Sequence, residues 1–318
     1  MLDDVRSNYA RRFIWSLIGL LTIAYAATFT AMGLGSNPRE ILIAVAISAA
    51  LLGGSVVYAT IRPDERLSRL MRGMVELLLL SLLCGKLSYA ASSLGLPLWD
   101  EAFVRWDHAL GFDWRHWLEV VNGSPRIHQV LALAYGSMLP QFGLLVVALA
   151  TCRAFRTLDT FLLAFGISAT VTVTIAAFMP AVSPLIHLEI KPADYPNIVL
   201  AVPLAFADQI EALRQGTLRL VDISGSHGLI TFPSFHTVGA ILLIAGWSRI
   251  PWLRWPGIVL NLVMLASIPI EGSHYLVDIL AGAALATAAW LGARALLDRS
   301  ARTTASSTAP APVTPSLV

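Results

Sequence analysis

Apolar runs of about 20 residues recur along this chain, and that is the length a helix needs to cross a bilayer. Eight stretches qualify, near residues 13–32, 41–61, 74–94, 129–151, 158–181, 235–251, 253–270 and 275–297. In hydrocarbon every backbone N–H and C=O must be satisfied within the protein, so such runs specify helices. The sixth and seventh are short, and Pro251 and Pro256 mark the turn between them. Composition agrees with this reading. Of 318 residues, 56% are hydrophobic and 13% charged, against about 25% charged in a soluble chain. Too little polar surface is left to cover a globule in water. The expected fold is therefore all-α, a polytopic membrane helical bundle of about eight transmembrane helices. A secreted disulfide scaffold, a coiled coil and a disordered regulator are excluded. A net charge of +2 gives a polyanion nothing to bind, so no nucleic-acid partner is expected. Cys84 and Cys152 lack both a disulfide framework and metal-ligand spacing.

Basic residues set the expected orientation. With eight spans, the N-terminus, loops 2–3, 4–5 and 6–7 and the C-terminus share one side and carry fourteen Lys and Arg; the other side carries seven. This bias places both termini in the cytoplasm and loops 3–4, 5–6 and 7–8 on the outer face of a cell (inner) membrane. Ala24-Tyr25-Ala26 imitates a signal-peptide cleavage site, but the apolar run continues past it, which favours an uncleaved anchor.

The outer loops have structure of their own. Residues 98–122 carry Trp99, Trp106, Trp114 and Trp117 among Asp100, Asp107 and Asp113. Tryptophan prefers the headgroup layer, so helical pieces lying on the membrane surface are expected. Residues 204–220 read as a short amphipathic helix with Ile210 and Leu213 on one face. The segment after Asp298 is rich in Ala, Thr, Ser and Pro and is expected to be a disordered cytoplasmic tail.

Two histidines stand out by position. His236 follows Phe232-Pro233-Ser234-Phe235 at the start of span six; His274 opens span eight in Gly272-Ser273-His274-Tyr275-Leu276-Val277-Asp278. Span seven runs between them, so both lie on the outer side. His274 and Asp278 are spaced i, i+4, neighbours on a helix. A carboxylate there accepts the Nδ1 proton and leaves Nε2 as nucleophile or base. An aspartate in a membrane costs about 2.5–3.5 kcal/mol on insertion scales and needs a partner, and His274 is the nearest. Free N–H groups at the helix start bearing Ser234 and His236 suit an anion. A phosphoryl group held there can be attacked by His274 while His236 protonates the leaving oxygen.

Other polar residues have plainer readings. His108, His116, His128 and His187 are expected at the interfacial surface and His227 in a loop. Glu76 lies near the end of its span and can snorkel. Lys86, ten residues on, is deeper and a candidate for lining a polar cavity. No metal-ligand cluster is visible in the sequence.

These residues resemble the type 2 phosphatidic acid phosphatase superfamily. Its Pro-Ser-Gly-His motif corresponds to Pro233-Ser234-Phe235-His236, with phenylalanine for glycine. Its Ser-Arg-x5-His-x3-Asp motif corresponds to Ser267-Ile268, then five residues, then His274 and Asp278, with isoleucine for arginine. The wording is most similar to the inositol phosphorylceramide synthase-like (inositolphosphotransferase) branch. The resemblance is strong over residues 231–282, weaker from Trp99 onward, and absent from spans one and two.

The resemblance implies a six-helix phosphatase-type core over residues 74–297, preceded by a two-span extension (1–73) and followed by the tail (298–318). It implies His274 as the nucleophile that forms a phosphohistidine, Asp278 as its orienting partner, His236 as acid and base, and Ser234 as a phosphate ligand, with no cofactor. The superfamily's Lys-x6-Arg-Pro motif is absent. Arg214, in Leu213-Arg214-Gln215-Gly216, and Arg219 are therefore the candidates for meeting the phosphate charge. The expected activity is that of a metal-independent lipid phosphatase or headgroup phosphotransferase. Its partners would be a lipid phosphate substrate, membrane lipids and, for transfer, a lipid-hydroxyl acceptor. The alternative is a non-catalytic lipid-binding carrier or scaffold that retains the fold, for which both histidines would be dispensable.

Overall fold

The computed structural model describes residues 2–199, 205–222 and 229–307. Among them, thirteen α-helices make up nearly all the regular structure. Helix α1 (Leu2–Met32) leads through the two-residue strand β1 (Gly35–Ser36) to α2 (Pro38–Thr60) and α3 (Glu65–Ser92). Two short helices, α4 (Asp100–Ala109) and α5 (Trp114–Asn122), precede α6 (Pro125–Gly136), α7 (Met138–Thr151) and α8 (Phe155–Phe178). The long connection that follows holds α9 (Pro184–His187), α10 (Ala205–Arg214) and strand β2 (Leu220–Val221). Then come α11 (Phe235–Trp247), α12 (Arg254–Glu271) and α13 (Leu276–Ser307).

All eight apolar stretches fold as helix, but fewer than eight are full-length spans. Five helices are long and apolar enough to cross a membrane: Val5–Met32 of α1, α2, α3, α8, and Leu276–Ser300 of α13. The stretch expected as one span at 129–151 is the pair α6–α7, bent by 50°. Pro140, in the first turn of α7, has no N–H to continue the α6 ladder, so the helix breaks at Ser137. Taken together the pair makes a sixth span. Helix α11 has 13 residues, about 20 Å of rise against roughly 30 Å of hydrocarbon. It stops at Trp247, with Ser248 as its C-cap, before the turn that carries Pro251.

Buried apolar side chains from eight helices form one core, among them Ile14 (α1), Leu80 (α3), Ala134 (α6), Leu145 (α7), Phe165 (α8), Val238 (α11), Met264 (α12) and Ala286 (α13). Helix α8 packs on α1, α3, α11 and α13 and is the central post. Helix α2 instead turns Leu42, Val45, Ile47 and Val56 outward. An apolar exterior of this kind suits lipid as solvent, and the chain is an integral membrane protein.

The two ends of the bundle differ. At one end Arg69, 8% exposed, joins three helix starts: it donates to Ser7 Oγ (2.8 Å) and pairs with Glu65 and Asp159. Arg6 and Arg156 both pair with Asp298 at this end. The basic segments grouped on one side in the sequence therefore do meet. Glu76 does not snorkel there; it is buried, accepts from Trp15 Nε1 at 3.0 Å and pairs with Arg72. A tryptophan and an arginine within reach remove the need to seek water.

At the opposite end the long connection is seated on the first two helices. Strand β1 pairs in parallel with β2, Gly35 opposite Leu220 and Ser36 opposite Val221. Asn37 Nδ2 donates to Asp222 Oδ2 at 2.8 Å. Lys86 lines no polar cavity: its Nζ donates to Glu40 and to the Val221 carbonyl, which ties α3, α2 and β2 together. Helices α4 and α5 form where surface helices were expected. Helix α10 forms too, ending at Arg214 with Ile210 and Leu213 buried. Helix α13 runs past Asp298 to Ser307, into the segment expected as the tail. Residues 308–318 of the expected tail, and His227, lie outside the described residues.

Candidate active site

The His274–Asp278 contact is built by a helix start. Helix α13 begins at Leu276, so His274 precedes it and the two side chains are not helix-face neighbours as the spacing suggested. Asp278, in the first turn, reaches back. Its Oδ2 accepts from the Tyr275 N–H at 2.9 Å and lies 3.1 Å from His274 Nδ1. Asp278 is fully buried and His274 4% exposed. A proton on Nδ1 satisfies the carboxylate and leaves a lone pair on Nε2.

Two aspartates of α4 hold this turn in place. Asp107 accepts from Leu276 N–H (2.8 Å) and Val277 N–H (3.0 Å), capping α13 from another element. Burial raises the Asp107 carboxyl above its ordinary range, and those two donors pull it back part of the way. Asp100 accepts from the Tyr275 hydroxyl at 2.8 Å and from the Val182 and Ser183 N–H groups. It thereby holds Ser183 at φ 144°, a conformation that favours glycine. Burial, then the Asp100 carboxylate, raises the Tyr275 phenol, so Tyr275 stays a donor. Asp107→Ala is expected to cost about 1 kcal/mol as a lost cap, plus the penalty of two buried N–H groups left unpaired. A lower melting temperature in detergent checks this.

The other half of the site starts α11. Ser234 Oγ is fully buried and accepts from the Thr237 N–H at 3.3 Å as the N-cap. The Ser234 N–H donates to the backbone carbonyl of Asp278 at 3.1 Å. The helices come this close because residue 282 is glycine: a Cβ there would lie 2.6 Å from the Ser234 carbonyl oxygen and 3.0 Å from Thr237 Cβ. His236, half-buried, stacks on the Tyr135 ring of α6 with centroids 3.8 Å apart and planes at 12°. A Cβ on Gly272 would meet His274 Cδ2 at 2.7 Å and Tyr135 Oη at 3.0 Å. The phenol that stacks on His236 and the His274 ring thus both face residue 272.

The two candidate arginines have separate anchors. Arg214 Nη1 donates to the Leu96 carbonyl at 2.9 Å. It lines a cavity with Ser88, Ser92, Met179, Thr231 and Phe232, beside the segment that leads into Ser234. Arg219 Nη1 donates to the Met32 carbonyl at 2.6 Å, at the end of α1. Among the described residues no group of three or more His, Cys, Asp or Glu could hold a metal ion.

His108, His116 and His187 are exposed, as expected. His128 is not: it is 7% exposed and its Nε2 lies 3.2 Å from Oε1 of the fully buried Glu271. The sequence reading missed Tyr135, Gly272, Gly282 and this pair. For His128 the signal was available, seven residues before Tyr135 and so on the same side of α6.

The sequence model of the PAP2 superfamily matches residues 101–292. No curated protein and no solved structure matches the chain. The matched region runs from α4 into α13 and contains both histidines, Asp278 and the bracing Asp107. With more than half of its length matched, on an all-α polytopic framework, this chain belongs to the PAP2 superfamily, whose members are phosphatase-type enzymes acting on lipid phosphates in membranes.

Proposed function

We propose that the chain cleaves a lipid phosphoester through a phosphohistidine on His274, at the outer face of a cell membrane, and passes the phosphoryl group to water or to a lipid hydroxyl. The carrying observation is the buried His274–Asp278 contact, fixed by Asp107 and Tyr275 and tied to the helix start that bears His236 by the Ser234 N–H to Asp278 carbonyl bond.

In the first half-reaction His274 Nε2 attacks phosphorus, the ester P–O bond breaks, and His236 gives its proton to the leaving oxygen. Asp278 stabilises the imidazolium that forms. In the second half-reaction a hydroxyl oxygen attacks phosphorus, its proton passes to His236, and the P–N electron pair returns to His274. The start of α11, with its helix dipole, faces the developing charge. Arg214 supplies positive charge from the adjoining cavity. The missing arginine at Ile268 leaves less positive charge than a dianionic monoester would call for. That favours a monoanionic phosphodiester and headgroup transfer, of which inositol-phosphate transfer between lipids is one form. The fourteen-to-seven distribution of basic residues supports cytoplasmic termini, which puts this end of the bundle outside.

Product analysis tests the reading. Purified protein and its His274→Ala variant are incubated with labelled phosphatidate or phosphatidylinositol, with and without diacylglycerol and ceramide, in chelator. Turnover is expected to persist in chelator and to depend on His274. Free phosphate identifies a phosphatase; a new headgroup-bearing lipid that forms only with acceptor identifies a transferase. Equal turnover by the variant would sink the mechanism. Arg214→Ala is expected to raise KM about tenfold or more, the scale of one lost hydrogen bond to a charged group, with a smaller change in kcat. An unchanged KM removes Arg214 from the phosphate site.

A further inference from the structure

The proposed mechanism leaves one buried ionisable pair at the site unused. Glu271 is the last residue of α12 and is fully buried; His128 of α6 lies against it at 3.2 Å. As a helix stabiliser Glu271 is misplaced, because a carboxylate at a helix C-terminus faces the negative end of the dipole. Trp114 already serves the α12 end by donating to the Pro269 carbonyl at 2.9 Å. As a phosphate ligand it is also wrong, since it carries negative charge. Its position is nevertheless at the reaction centre. The next residue is Gly272, against which both the His274 ring and the Tyr135 hydroxyl press. His128 and Tyr135, seven residues apart on α6, meet the end of α12 and the start of α11 respectively.

A carboxylate beside a phosphoryl site can accept a hydrogen bond from a neutral O–H donor. We propose that the His128–Glu271 pair binds and orients the incoming hydroxyl of the second half-reaction, with Glu271 accepting from it. This rests on the phosphohistidine reading. Water suits such a site because it has two O–H bonds: one proton passes to His236 as the new O–P bond forms and the His274 N–P bond breaks, while the other O–H donates to Glu271. A polyol supplies the second donor from a neighbouring hydroxyl. His128 Nε2, 3.2 Å from Glu271 Oε1, sets the orientation of the carboxylate.

The test separates the half-reactions. Wild type, Glu271→Gln and His128→Gln are mixed with ³²P-labelled phosphatidate or phosphatidylinositol in detergent micelles. Samples are quenched in alkali, and label on protein is followed against product. In both variants turnover is expected to fall about a hundredfold, the scale of a lost acid–base contact, while the labelled fraction of enzyme rises because the phosphohistidine forms and then decays slowly. Wild-type turnover in both variants overturns the inference, and so does a parallel loss of label and product, which marks a role in the first step. Loss of folded protein in both variants, read by size-exclusion profile, overturns it in favour of a structural pair. Wild type that gives no His274-dependent label fails the underlying mechanism instead, so the two failures are distinct.

Discussion

His274→Ala abolishes turnover in the expected result, by about a thousandfold or more, with the protein still folded. Removing a covalent nucleophile leaves only binding and electrostatic contributions. The fold is expected to survive because the turn around His274 does not depend on its ring. The Tyr275 N–H still donates to Asp278, the Leu276 and Val277 N–H groups still donate to Asp107, and the Tyr275 hydroxyl still donates to Asp100. Asp278→Asn tests the same contact from the other side. The amide keeps the shape but neither fixes the Nδ1–H tautomer nor stabilises the imidazolium, a change worth about 10⁴ in kcat in hydrolases with a histidine–aspartate pair. An unaltered melting temperature beside a collapsed kcat separates chemistry from folding in both variants. A His274→Ala protein with near wild-type turnover would instead revive the carrier or scaffold alternative.

Gly282→Ala has the second large effect, and it acts on geometry. A single methyl group at 282 meets the Ser234 carbonyl at 2.6 Å. That partner is backbone, so it cannot swing aside as a flexible side chain would. The α11–α13 approach must open, and with it the Ser234 N–H to Asp278 carbonyl bond that sets the His236 half of the site against the His274 half. Overpacking of this kind costs about 1–3 kcal/mol, and small residues are what allow such close contacts between membrane helices. Activity is expected to fall further than stability, because misplacement by about 1 Å can cost a hundredfold in rate. Gly292→Ala is the control. It lies on the same helix with open space around its would-be Cβ, and alanine there is expected to be neutral or mildly stabilising. Equal melting points and rates for the two alanine variants would contradict this account of the interface.

The reactive ends of the site were legible because they are local. His274 and Asp278 lie four residues apart, and Pro233, Ser234 and His236 mark a helix start. Alternating topology alone brings the two segments to one end. What was not legible is what holds them. Asp100 and Asp107 read as polar residues among tryptophans, and only the fold shows Asp107 capping a helix more than 160 residues away and Asp100 accepting from the Tyr275 hydroxyl beside it. Gly272 and Gly282 carry no chemistry; their function is an absent Cβ, visible only once the helices touch. His128 was read as interfacial because it sits near the end of an apolar run, but the 50° bend between α6 and α7 turns that end into the protein. The same bend, and the early stop of α11, explain why counting apolar residues overestimates the full-length spans. Glu76 and Lys86 were misread for a related reason: distant partners, Trp15 and Glu40, meet them within the bundle.

The most direct measurement is the chemistry of the labelled intermediate. Wild-type protein is mixed with ³²P-labelled phosphatidate or phosphatidylinositol, stopped in alkali within the first turnover, digested, and the labelled peptide sequenced by mass spectrometry. The predicted result is label stable to alkali, lost in acid, and mapped to His274. Label on another residue, or rapid turnover with no trapped label at any quench time, would contradict the assignment of His274 as the nucleophile.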